Sequence, residues 1–165
     1  MVTSKNNKNV ARIFTDGACS GNPGVGGWAS IILTDSKVKK ISGHELETTN
    51  NRMELIAVIS GLECAIKHGF KRVQIYSDSA YVVNAIAKGW IYVWRASHWK
   101  KSDDTEVKNS DLWKKMYKLI QDSSFKEIEF NKVKGHSGNH FNEMADSLAK
   151  EEVLKGRAEA NGTRN

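Results

Sequence analysis

The chain has few covalent fasteners and few backbone breakers: two cysteines, Cys19 and Cys64, and one proline, Pro23, in 165 residues. Two cysteines without a CxxC pair exclude a zinc ribbon and a disulfide framework, and they fit a reducing compartment. No unbroken apolar run outlasts Leu55–Ile59, far below the ~20 residues of a membrane-spanning helix. Integral membrane function is excluded, and no membrane partner is expected. The first ten residues carry lysines with no apolar segment behind them, unlike a signal peptide, so a cytoplasmic location is expected. Internal repeats and low-complexity tracts are also missing. What is present is an ordinary globular composition, 39% hydrophobic and 27% charged, at a length typical of one domain. The charge is uneven: 25 Lys and Arg against 19 Asp and Glu leave a net +6, a field that favours polyanions.

The polar stretches 1–8 and 156–165 are read as flexible tails around a single domain over 9–155. Within it, Val10–Thr15 reads as a strand, Gly21-Asn22-Pro23-Gly24 as a turn, and Trp28–Thr34 and Lys40–Glu47 as two more strands. Leu55, Ile59, Leu62 and Ile66 make one stripe of a helix that opens at Asn50 and stops at Gly69. Val73–Ser77 is a fourth strand, Ser79–Lys88 a helix broken by Gly89, and Leu112, Met116, Leu119 and Ile120 mark a further helix. Lys126–Val133 is a fifth strand, and Asn142–Leu154 is a last helix with Asn142 as N-cap. Three consecutive strands followed by alternating helix and strand predict an α/β fold, a mixed sheet with helices packed on it.

Acidic residues gather at the element boundaries. Asp16 is read as ending the first strand and Asp78 the fourth; Glu54 is placed in the first turn of the helix after Thr49, and Asp146 in the first turns of the last helix. Ligands of α/β sheets bind beyond strand ends, where connections diverge. Any one of these acids could be a cap or a solvated charge. Four brought together would repel and raise one another's pKa until cations neutralised them, and carboxylates without His or Cys favour Mg²⁺ or Mn²⁺ over zinc. His136, in the Gly-flanked loop Lys134–Gly138, has an ordinary pKa near ~6.5, suited to proton traffic at a phosphate centre.

In these same segments the chain resembles the type 1 ribonucleases H, in the form with a basic helical protrusion. The matching motifs are Phe14-Thr-Asp-Gly-Ala-Cys-Ser-Gly-Asn-Pro-Gly24, Thr48-Thr-Asn-Asn-Arg-Met-Glu-Leu55, Ser77-Asp-Ser79, and Lys134-Gly-His-Ser-Gly138 leading to Asn142-Glu-Met-Ala-Asp146. They occur in family order and span residues 10–150. The resemblance implies a ribonuclease H-like fold: a five-stranded mixed sheet, three antiparallel strands then two parallel, with helices on both faces. It implies an endonuclease that cuts the RNA strand of RNA·DNA hybrids, leaving a 5′-phosphate and a 3′-hydroxyl. Asp16, Glu54, Asp78 and Asp146 would hold two Mg²⁺ ions (Mn²⁺ being the substitute) roughly 4 Å apart, and His136 matches the family's mobile histidine. No obligate protein partner is implied, and a monomer is expected.

By the same resemblance, Cys19, Asn22, Asn50 and Asn51 would line the wide minor groove, where the 2′-hydroxyl distinguishes RNA from DNA. Thr49 and Asn109 match positions that hold a phosphate of the DNA strand. Between Gly89 and Lys108, Trp90, Trp94, Lys100 and Lys101 interleave rings with cations, as a nucleic-acid platform does; the alternative is that Trp90 and Trp94, spaced i and i+4, anchor a helix. Ala80 stands where the family often has Gln, which predicts a modest change in hybrid affinity and no loss of cleavage. Gly24–Ala29 fits the dinucleotide fingerprint GxGxxA but leads into a strand instead of a helix, and is rejected. The rival classes are a strand transferase, for whose extra domains this length leaves no room, and a hybrid-binding module without chemistry, which intact acids argue against.

Overall fold

A computed structural model describes residues 10–122, 124–134 and 139–162 of the protein. The sheet contains β1 (Val10–Ser20), β2 (Gly24–Leu33), β3 (Val38–Thr48), β4 (Arg72–Ser77) and β5 (Glu127–Lys132), in the order β3-β2-β1-β4-β5. β1, β2 and β3 pair antiparallel, while β4 lies parallel to both β1 and β5. This is the mixed topology expected from three strands in direct succession followed by strands reached through helices.

The helices are α1 (Asn50–Lys67), α2 (Ala80–Ala87), α3 (Trp90–Ala96), α4 (Ser110–Ile120) and α5 (His140–Gly162). Side chains alternate across each strand. Ala11 and Ile13 of β1 and Val73 and Ile75 of β4 pack with Leu55, Val58 and Leu62 of α1, Val82 of α2, and Trp113 and Met116 of α4. Phe14, Ala29 and Ile31 meet Ala145 and Ala149 of α5 on the opposite face. Helices therefore cover both faces of the sheet. Gly27 allows the close approach of α5: a Cβ there would sit 2.3 Å from the Ala149 carbonyl oxygen.

α5 departs from the sequence expectation at both ends. It opens at His140 and not at Asn142, because the Asn139 side chain is the cap, its Oδ1 accepting from the amides of Phe141 (2.9 Å) and Asn142 (3.1 Å). It continues to Gly162, so residues 156–162 belong to the fold instead of a tail. A polar cluster fastens this extension. Glu152, 6% exposed, accepts from Ser42 Oγ at 2.7 Å and meets His44 Nδ1 at 3.1 Å, while His44 Nε2 lies 3.2 Å from Glu159.

Neutral imidazole has only one N–H, so bonding both glutamates requires the imidazolium. The bond to Glu152 raises the His44 pKa above 6.5 against the opposing effect of burial. For Glu152, burial works against ionisation, but Ser42, His44 and Lys155 outweigh it and hold the carboxyl below 4.5. His44 thus stabilises fully below pH 6.5 and loses its contribution as pH rises through its raised value. Glu152 contributes above 4.5 and loses its contribution on acidification. His44→Ala is expected to lower the melting temperature by roughly 2–4 °C at pH 6 and by less at pH 9; equal deficits at the two pH values would show that the clasp is not ionic.

Candidate active site

The parallel ladder between β1 and β4 ends at Phe14–Tyr76, but β1 continues with β2 alone to Ser20. Asp16 therefore lies within a strand, not at its end as the sequence suggests; it sits two residues past the last pair of the parallel ladder, level with Asp78. β4 stops at Ser77, where the Ser77 Oγ accepts from the Ser79 amide at 3.1 Å and Ser79 caps α2 by accepting from the Val82 amide. That sharp exit leaves Asp78 at the strand end. The third acid comes from α1, whose Thr49 cap accepts from the Arg52 amide at 3.3 Å. Glu54 lies in the second turn, one turn deeper than expected, and is only 4% exposed.

Asp16, Glu54 and Asp78 each offer a carboxylate oxygen within 4.8 Å of the other two. Glu54 Oε2 is buried with no hydrogen-bond partner. Burial, followed by the charge of Asp78 and a hydrogen bond with Asp146, raises the Asp16 pKa from 3.8 to about 7. Burial, then the charges of Asp16 and Asp78, pushes Glu54 well above its ordinary value. The Gly17 amide donates to Asp16 Oδ1 at 2.9 Å and partly offsets this. Asp146 stands at the edge of the group, touching Asp16 on one side and Lys150 Nζ (3.0 Å) on the other. The acids line one cavity of about 410 Å³ together with Asn50, Asn51, Tyr81, Lys134 and Asn142. An all-oxygen group that resists ionisation by itself is suited to a hard divalent cation.

Of the other site residues singled out from sequence, Asn50 and Asn51 line this cavity, and the rest of the described ones lie outside its lining. Asn22 Oδ1 accepts from the Asn50 amide at 3.1 Å, and Cys19 Sγ bonds the Thr48 carbonyl at 3.4 Å, so the β1–β2 turn is tied to the start of α1. Asn109, in the left-handed region at φ 59°, bonds Arg52 and Tyr81. Trp94 packs on Trp113 with ring centroids 5.2 Å apart and anchors the protrusion, whereas Trp90, 41% exposed, has Lys88 Nζ 5.4 Å from its ring. Lys100 and Lys101 are exposed beyond α3, with Lys100 4.0 Å from Asp104. His136 lies outside the described residues. Sequence reasoning missed three neighbours: Arg52, Tyr81 and Lys150. Only Lys150 left a signal, its i+4 spacing from Asp146.

A basic chain with an oxygen-only acidic cluster at the ends of parallel strands belongs, by fold and site, with the polynucleotide-processing α/β enzymes. Residues 8–154 match the family model described as RNase H. Over 151 residues the chain is 51% identical to a Ribonuclease H of Caldanaerobacter subterraneus subsp. tengcongensis, covering 92% of this chain and 95% of that one. It is 47% identical to a Ribonuclease H of Chlorobium limicola, covering 88% and 97%. Among solved structures it is similar to LC9-RNase H1, described as a type 1 RNase H with the type 2 active-site motif. The TM-score is 0.76 at 26% identity, covering 89% of this chain and 73% of that one. The chain belongs to the RNase H family of endoribonucleases.

Proposed function

We propose that the protein is an endonuclease that hydrolyses the RNA strand of RNA·DNA hybrids, leaving 5′-phosphate and 3′-hydroxyl ends, with Asp16, Glu54, Asp78 and Asp146 as ligands of two Mg²⁺ ions, which Mn²⁺ can replace. The observation that carries this reading is the meeting of three carboxylates within 4.8 Å, one of them with a sealed, unpartnered oxygen. Such a group is costly to ionise without a cation beside it, and its oxygen donors match these metals. When bound, the ions supply an activated water and stabilise the departing 3′-oxygen.

The chain's own residues hold this centre in place. The Gly17 amide orients Asp16, the interior fixes Glu54, and Lys150 restrains Asp146 from outside. In this reading His136 moves protons at the reacting phosphate. Cys19, Asn22, Asn50 and Asn51 face the minor groove, and Thr49 and Asn109 take a phosphate of the DNA strand. Trp90, Lys100 and Lys101 meet the duplex further along, with Trp94 supporting the platform. The enzyme acts as a cytoplasmic monomer.

Incubating RNA·DNA, DNA·DNA and RNA·RNA duplexes with Mg²⁺ or with EDTA tests the assignment. Cutting of the RNA strand in the hybrid alone, abolished by EDTA, is expected; hybrid binding without cutting would overturn it. Replacing both Lys100 and Lys101 with Ala is expected to weaken hybrid binding and flatten its dependence on salt, reducing the logarithmic slope by roughly 1–2. An unchanged slope would remove these lysines from the interface.

A further inference from the structure

The last part of α5 reaches the turn between β1 and β2. The match to the family model ends at residue 154, but α5 continues to Gly162, and the added turns grip that connection at both of its ends. Ser20 closes β1 and pairs with Val25 of β2, so these two residues form the mouth of the turn. Arg157 Nη2 donates to Ser20 Oγ; a guanidinium has donors only and stays charged at any working pH, so this bond cannot reverse or titrate away. Gly156 packs so closely against the other end that an added Cβ would lie 2.6 Å from Val25 Cγ1 and 3.2 Å from His44 Cδ2. The bonds of His44 to Glu152 and Glu159 hold the helix in place there. On the opposite face of the sheet, Cys19 and Asn22 tie the turn to the start of α1. The turn has little stiffness of its own, since Gly21 sits at φ 84°, where glycine is least constrained. Its position is therefore set by the two helices that hold it, and these are the helices that carry Glu54 and Asp146. Arg157 stands about three turns beyond Asp146 on the same stripe of α5, roughly 16 Å along its axis.

We propose that Arg157 is a positioning residue for the recognition of RNA: by fixing Ser20 it holds the neighbouring Cys19 and Asn22 at the depth where they meet the 2′-hydroxyls of the hybrid, and its loss blunts the distinction between ribose and deoxyribose. This rests on the hybrid-substrate reading above. The guanidinium acts through the turn and takes no phosphate itself, so its removal leaves the number of counterions released on binding unchanged.

Arg157→Ala places a good helix former at an exposed position, so the fold should survive it. A single 2′-deoxy substitution, moved along the RNA strand of a hybrid, is expected to raise the Kd of the wild type in EDTA about 3- to 10-fold at the positions that meet the turn. In Arg157→Ala the unsubstituted hybrid should bind more weakly by a similar factor, the penalty at those positions should shrink below about twofold, and the salt slope should not change. In Mg²⁺ the variant's KM should rise by the same factor while kcat stays within about twofold of the wild type. Ser20→Ala removes the same bond from its other end, so the double variant should be no worse than either single one. Arg157→Lys, which can still donate to Ser20, should restore part of the penalty. Lys155→Ala removes a charge of the same stretch that pairs with Glu152 at 3.6 Å, and should keep the wild-type pattern. A 2′-deoxy penalty that persists in full in Arg157→Ala, or additive losses from Ser20→Ala and Arg157→Ala, would overturn the proposal. A salt slope lowered by about 1 in Arg157→Ala would also overturn it, by making Arg157 a phosphate ligand. Failure of the wild type to bind or cut hybrids would instead defeat the functional reading.

Discussion

Asp16→Asn is expected to lower the cleavage rate by at least about 10³-fold while making the metal-free protein more resistant to heat. The opposite signs follow from one cause. Asp16 ionises only near pH 7 in the folded protein and at 3.8 when unfolded, so the unfolded chain releases its proton first. A carboxyl with a raised folded value stabilises below the unfolded pKa, and that advantage is lost as pH rises through the folded one. In EDTA the wild type should therefore lose thermal stability between about pH 4 and pH 8 more steeply than Asp16→Asn. At pH 8 the variant should melt several degrees higher, roughly 3–8 °C for a chain of this size. Mg²⁺ should recover stability in the wild type by binding only the folded state and should do so weakly in the variant. Calorimetry at pH 5 and pH 8, with Mg²⁺ or EDTA, together with steady-state cleavage, reads all of this. Near-normal turnover in Asp16→Asn would refute the metal assignment, and a variant that melts lower than the wild type in EDTA at pH 8 would refute the account of repulsion.

Three of the acids were legible in the sequence because each stands near a boundary that local chemistry marks: the Ser79 cap after Asp78, the Thr49 cap before Glu54, and the Asn-rich start of the helix carrying Asp146; Gly17 suggests a boundary after Asp16 that β1 runs past. The boundaries themselves were less legible. Nothing in Gly17-Ala18-Cys19-Ser20 alternates, yet β1 continues through it because β2 supplies partners as far as Val25. The polar stretch from 156 onward reads as a tail, but contacts distant in sequence hold it in the helix: Arg157 bonds Ser20 and Glu159 bonds His44. The i and i+4 tryptophans read equally well as core or surface. The structure divides them, because Trp113 on α4 lies where Trp94 can reach it and Trp90 cannot. The chain from Arg52 through Asn109 to Tyr81 joins residues 57 and 28 positions apart, a separation at which neither periodicity nor motif carries a signal.

Gly17→Ala is the substitution expected to damage the site most without altering any ligand. The space at Gly17 is taken by the backbone of α1: an added Cβ would lie 2.7 Å from the Glu54 amide nitrogen, 2.8 Å from the Met53 carbonyl carbon and 2.9 Å from Met53 Cβ. None of these atoms is the free end of a flexible side chain, and Met53 is fully buried. Either α1 must move off the sheet or β1 must bend away, and both movements separate Asp16 from Glu54. A misplacement of about 1 Å in a preorganised site costs on the order of 10²-fold in rate, so activity should fall by about that factor and the Mg²⁺ concentration needed for half-maximal rate should rise. Cleavage measured at 15 °C, with far-ultraviolet circular dichroism confirming a folded protein, separates this from simple unfolding. Gly27→Ala is the matched control. It crowds the α5 backbone at Ala149 instead of Glu54, so it should disturb the Asp146 side of the site and leave the Asp16–Glu54 spacing alone. If Gly17→Ala keeps wild-type turnover and wild-type Mg²⁺ dependence, α1 yields without carrying Glu54 with it, and the contact between β1 and α1 does not set the geometry of the acidic cluster.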